Sequence, residues 1–117
     1  MLTLTYRATD ANPAMDDFEG DHYRVTLRNG RRSMTFVYSK GHGHNGTPPT
    51  LAEVAECMEA DSTIAESCPT FADFCAEYGY EEDSRKAERT YRATVRQAAK
   101  WNAIKDFETV ALVAFGT

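Results

Sequence analysis

The chain lacks most of the features by which membrane proteins, secreted proteins and common enzymes declare themselves. No apolar run approaches the roughly 20 residues needed to cross a bilayer. The opening stretch, Met1-Leu-Thr-Leu-Thr-Tyr6, has neither the basic region nor the apolar core of a secretion signal. Cysteine is scarce: Cys57, Cys68 and Cys75 make an odd count with no CxxC pair, which suits a reduced, cytoplasmic setting. Histidine is limited to His22, His42 and His44. The orders GxSxG and HExxH do not occur. The glycine-rich segment Lys40-Gly-His-Gly-His-Asn-Gly46 fails the GxxxxGK[ST] order of a phosphate loop. Repeats and low-complexity tracts are absent.

What is present is an ordinary globular composition. The 117 residues are 42% apolar and 26% charged, enough for one domain that folds without a metal or disulfide staple. Leu2, Leu4 and Tyr6 alternate with Thr3, Thr5 and Arg7, as in a strand buried on one face. Tyr23, Val25 and Leu27, then Asn29-Gly30, then Met34, Phe36 and Tyr38 predict a β-hairpin. With Asn29-Gly30 as its two-residue loop, Val25 faces Met34, Tyr23 faces Phe36 and Arg28 faces Arg31. Residues 10–21 are expected to form a loop or a short helical turn, and residues 40–49 a mobile connector.

The second half reads as helical. Thr50 and Glu53 form a capping box opening a helix of about 51–61, with Leu51, Val54, Ala55 and Met58 on its buried face. Residues 62–69 are expected to connect it to a short helix capped by Thr70, carrying Phe71, Phe74, Cys75 and Tyr78 at i, i+3, i+4 and i+7 and stopped by Gly79. Asp83 or Ser84 starts the longest helix, about 84–104. Ala87, Tyr91, Thr94, Ala98 and Trp101 share one side of it, and Arg85, Arg89, Arg92, Arg96 and Lys100 the other. Residues 106–115 fit a helix capped by Asp106 or a last strand, helix being favoured. The fold class is therefore α+β, a small antiparallel sheet with a helical C-terminal half.

Charge is sorted by segment. The formal net charge is −5, but residues 10–21 hold five carboxylates and no cation, and residues 22–40 hold five cations and no carboxylate. Residues 41–84 hold ten carboxylates and neither lysine nor arginine, and residues 85–117 carry seven cations against three carboxylates. Glu53, Glu56, Glu59, Asp73, Glu77, Glu81 and Glu82 are candidates for an acidic face that imitates a phosphate backbone and occupies a basic groove. The plain alternatives are solvated helix faces, or pairing with the basic helix. Arg85, Arg89, Arg92 and Arg96 could contact phosphates or dock an acidic surface, including a second copy of the chain, although Glu81, Glu82 and Asp83 crowd their N-terminal end. Arg28, Arg31 and Arg32, at the hairpin tip, are either exposed cations or an anion-docking point.

Catalytic and metal signals are poor. His42-Gly-His44 is the best metal candidate, yet it sits in a flexible stretch with only His22 as a third histidine, and the cysteines lack zinc spacing. Cys75 shares a helical face with Phe71, Phe74 and Tyr78 and reads as a packed thiol rather than a nucleophile. No cofactor and no enzymatic activity are expected.

Tyr23-Arg-Val-Thr-Leu27, Pro49-Thr-Leu-Ala-Glu-Val54, Phe71-x-Asp-Phe-Cys-x-Glu-Tyr-Gly-Tyr80 and Asp83-Ser-Arg-Lys-Ala-Glu-Arg-Thr-Tyr91 resemble small proteins of bacteriophages and mobile elements, a group that contains or neighbours anti-CRISPR proteins. The resemblance spans about residues 22–100 and rests on structural motifs, so it carries over no catalytic residue. It implies a phage accessory protein of the host bacterial cytoplasm that inhibits a Cas protein or CRISPR ribonucleoprotein. The alternative is a nucleic-acid-binding accessory protein using the basic face of helix 84–104.

Overall fold

The computed structural model of the protein describes residues 1–10, 20–41 and 47–115. The expected loop over 10–21 falls almost wholly outside them, as do His42 and His44. Strands β1 (Leu2–Thr9), β2 (Gly20–Asn29) and β3 (Arg32–Gly41) precede helices α1 (Leu51–Ser67), α2 (Phe71–Tyr78), α3 (Arg85–Ile104) and α4 (Phe107–Phe115). The strands form one antiparallel sheet in the order β1-β2-β3, so the α+β expectation holds.

The hairpin is present, but its register is displaced by two residues. Val25 pairs with Phe36, Leu27 with Met34 and Asn29 with Arg32, leaving Gly30-Arg31 as the turn. Arg28 therefore faces Ser33, not Arg31. The cause is Asn29, which stays in the ladder opposite Leu2. Its side-chain amide donates to the Ile104 carbonyl at 2.7 Å, and its amide oxygen accepts from the Met1 ammonium at 3.3 Å. Gly30, at φ +64°, then takes the left-handed conformation that the tight reversal requires. A slip of two preserves side-chain facing, because strand periodicity is two. Leu2, Val25, Leu27, Met34 and Phe36 are all buried on one face, as alternation predicted.

The opposite face carries Thr3, Thr5, Arg7, Thr9, His22, Arg24, Thr26, Arg28, Ser33, Thr35, Val37 and Ser39; Thr9, His22, Thr26, Val37 and Ser39 are half-buried and the others exposed. Thr26 and Thr35 hydroxyls bond across the ladder at 3.0 Å, and His22 Nδ1 meets Ser39 Oγ at 2.7 Å.

Helix α1 begins as expected. The Glu53 N–H donates to Thr50 Oγ1 at 3.2 Å, and Glu53 Oε1 accepts from the Thr50 N–H at 3.3 Å. It does not end at 61 but runs to Ser67, so the connector placed at 62–69 shrinks to Cys68, Pro69 and Thr70. Ser62 and Thr63 are accommodated because Thr63 donates back to the Glu59 carbonyl and Ser62 donates to Asn102 Oδ1. Ile64 also packs against buried Cys68, Phe74 and Tyr91, a reason for the helix to continue.

The Thr70 cap on α2 is a full capping box with Asp73, and Gly79 ends the helix in the left-handed region at φ 76°. Ser84 caps α3, its Oγ accepting from the Ala87 N–H at 3.1 Å. Ala87, Tyr91, Ala98 and Trp101 are buried, while Arg85, Arg89, Arg92, Arg96 and Lys100 are exposed, as their spacing predicted. Residues 107–115 are helical, with Asp106 Oδ1 accepting from the Thr109 N–H at 2.8 Å.

The chain divides into two compact units, Met1–Glu56 with Ile104–Thr117, and Cys57–Ala103. In the first, Lys40 is the feature composition did not announce. It lies in β3 rather than in the connector, is only 8% exposed, and its ammonium is enclosed by oxygens. Thr47 O and Oγ1 accept at 3.1 Å, Pro48 O at 3.4 Å, and Glu53 Oε2 is 3.0 Å away. In the second, Phe71, Phe74 and Tyr91 form an aromatic cluster, and the buried Tyr91 hydroxyl donates to the Cys68 carbonyl at 2.7 Å.

Candidate interaction surfaces

The seven carboxylates proposed as one acidic face separate by role. Glu53 is committed to Lys40 and the α1 cap. Burial alone would raise its carboxyl; hydrogen bonds from Lys40 and Thr50, with the Lys40 charge, outweigh that and hold it below the ordinary carboxylate range. Glu59 accepts from the fully buried Trp101 indole at 2.7 Å, so it anchors a core side chain. Asp73 is half of the α2 capping box. Glu56, Glu77, Glu81 and Glu82 are exposed. Glu53 and Glu56 belong to the first unit and the other five to the second.

Within the second unit the free carboxylates gather around α2 and the reversal into α3. Phe74 fixes that reversal: Tyr80 stacks on it at 5.4 Å between ring centroids and Tyr78 lies at 5.1 Å. Gly79 and Tyr80 both donate to the Cys75 carbonyl, and the Ser84 N–H closes a turn on the Glu81 carbonyl. Glu81, Glu82 and Asp83 thus stand at the N-terminal end of α3, where its dipole favours negative charge. A shallow depression is lined by Ala72, Cys75, Ala76, Tyr80, Glu81 and Glu82. A second, on Cys68, Asp73, Ala76 and Glu77, lies at the same helix. Both thiols register the negative field: burial pushes Cys75 up, then Glu82 and Glu81, and Cys68 up, then Glu77 and Asp73. The two cysteines are buried, so a packing role fits them.

Among the described residues, Glu77, Glu81 and Glu82 form no ion pair, and neither do Arg85, Arg89, Arg96 or Lys100. Arg92 does: its guanidinium reaches Glu88 Oε1 at 2.7 Å, one turn back on α3. That engagement shortens the basic stripe and is an ordinary exposed helix pair. In the first unit Arg28, Arg31 and Arg32 are exposed at the hairpin end, but with Arg28 opposite Ser33 and Thr3 the like-charge pairing expected at the tip is absent. The opposed arginines are Arg7 and Arg24. Strand alternation could have found that pair had β1 been aligned on β2.

Asp61 was also missed. It is a half-buried aspartate on α1 with no hydrogen bond or ion pair among the described residues, and burial pushes its carboxyl up to about 6. Asp61 looks like any other member of an acidic segment until its surroundings are seen. Among the described residues no three histidine, cysteine, aspartate or glutamate side chains are placed to hold a metal ion, and no helix is long and apolar enough to cross a membrane.

Comparison with protein-family models, with curated proteins and with solved structures found no match.

Proposed function

We propose that the chain is a non-enzymatic binding protein that presents Glu77, Glu81 and Glu82 to a cationic groove of a nucleic-acid-handling protein, with a CRISPR–Cas effector of the bacterial cytoplasm as the partner. The supporting observation is that these carboxylates project from a packed, capped helix reversal and form no ion pair among the described residues, although the next helix carries exposed arginines. A fixed array of unneutralised carboxylates competes for the cations that would otherwise meet phosphates. Glu53 and Glu59 leave the recognition set because their oxygens already hold Lys40 and Trp101. Asp73 contributes charge while keeping its cap. The identity of the partner rests on the resemblance of residues 22–100 to phage-borne proteins.

The test is phage plating on bacteria immunised by CRISPR systems of several types. Expression of the chain restores plaques on at least one immune host. The triple variant E77S/E81S/E82S, folded by circular dichroism, does not. Unchanged immunity across the panel removes the Cas assignment, and full rescue by the triple variant removes the carboxylate mechanism.

A further inference from the structure

The exposed face of the sheet belongs to the first unit and owes nothing to the carboxylates of α2. Its central charges are Arg7, Arg24 and Arg28, all exposed, and the described strands place no carboxylate on this side. None of the three arginines makes an ion pair among the described residues. Arg7 and Arg24 sit directly opposite one another, an arrangement that is unfavourable by itself and that a shared anion relieves. Arg24 and Arg28 lie four residues apart on β2, about 13 Å along the strand. That matches the roughly 12 Å width of the major groove, across which duplex phosphates line up. Between them Thr26 shares a hydroxyl hydrogen bond with Thr35.

The chemistry of the face selects its partner. Protein interfaces need a desolvated apolar centre with aromatic anchors, and among the described residues the apolar side chain of this face is a half-buried Val37. Single strands need aromatic platforms on which bases stack; the described strands place no phenylalanine, tyrosine or tryptophan on this face, and its His22 is half-buried and engaged by Ser39. Exposed arginines and hydroxyls with little apolar or aromatic surface are the composition of a phosphate-contacting surface. We infer that the Arg7/Arg24/Arg28 face of the sheet binds the backbone of double-stranded nucleic acid without reading its sequence.

The test is fluorescence anisotropy with a labelled DNA duplex of about 20 base pairs, one strand of it alone, and a labelled oligoglutamate peptide. With three phosphate contacts, raising salt from 50 to 200 mM weakens duplex binding roughly 40-fold. The variant R7S/R24S/R28S loses duplex binding at least tenfold, and R85S/R89S/R96S binds as the parent does. Replacing both opposed arginines removes their repulsion, so the sheet variant keeps its fold, checked by thermal unfolding. No duplex binding at 50 mM salt, or parental binding by the sheet variant, overturns the inference. So does loss confined to the α3 variant, or tighter binding of the single strand or the peptide. Because α2 is untouched, R7S/R24S/R28S leaves the phage-plating result unchanged, and either proposal can fail alone.

Discussion

Replacing Asp61 by asparagine is predicted to stabilise the protein at neutral pH. Its carboxyl, at about 6 in the fold, lies about two pH units above the ordinary aspartate value, and desolvation is the cause. Each unit corresponds to about 1.4 kcal/mol, so the buried negative charge costs about 3 kcal/mol once fully ionised. The sign follows from proton counting. Between about pH 4 and 6 the native state holds the proton more tightly than the unfolded chain, so this residue's contribution falls as pH rises through that window. Above it the whole penalty is present. Asp61→Asn removes the charge and keeps the size, so urea unfolding at pH 7 should show a gain approaching 3 kcal/mol. Thermal unfolding should show a rise of roughly 10 °C. The difference between variant and parent should shrink towards zero near pH 4. Comparing the two proteins is essential because Glu53 and Asp106, held below the ordinary range, make both lose stability in acid. An asparagine variant no more stable than its parent at pH 7, or a gain that persists at pH 4, would refute desolvation of a charged Asp61.

Other side chains give sharper local tests. Lys40→Met leaves the Glu53 carboxylate and two loop carbonyls without their cation and should cost about 2 kcal/mol in urea unfolding, with Glu53 partly rescued by solvent. Tyr91→Phe strands the buried Cys68 carbonyl and should cost about 1–2 kcal/mol, with circular dichroism unchanged. Asp106→Ala removes both the α4 cap and the acceptor for the Leu2 N–H, at about 1–2 kcal/mol. Hydrogen bonds from Thr109, then Leu2, keep the Asp106 carboxyl low, so that contribution is present at neutral pH and disappears as pH falls through the carboxylate range.

Local rules carried the reading where one residue decides one feature. Thr70 and Ser84 cap helices, Gly79 ends one, Asp106 starts one, and the arginine side of α3 faces away from its buried side. Reading failed where a distant partner decided. The hairpin register turned on Asn29 bonding to Ile104, 75 residues away. Helix α1 passed its expected end because Ser62 meets Asn102 and Ile64 joins an aromatic cluster formed later in the chain. The acidic face was legible as a count but not as a set of roles. Nothing in the spacing of Glu53, Glu59 and Glu77 tells that the first neutralises a buried lysine, the second holds an indole and the third stays free.

The central claim is that the free carboxylates of α2 and its following turn recognise a cationic protein surface. It is tested most directly by capture from a CRISPR-bearing bacterial lysate, with the parent and E77S/E81S/E82S immobilised side by side and mass-spectrometric identification of what co-elutes. The account predicts a Cas protein retained by the parent at low salt, released by added salt and absent from the triple variant. Equal retention by both proteins, or no Cas protein on either, would contradict it.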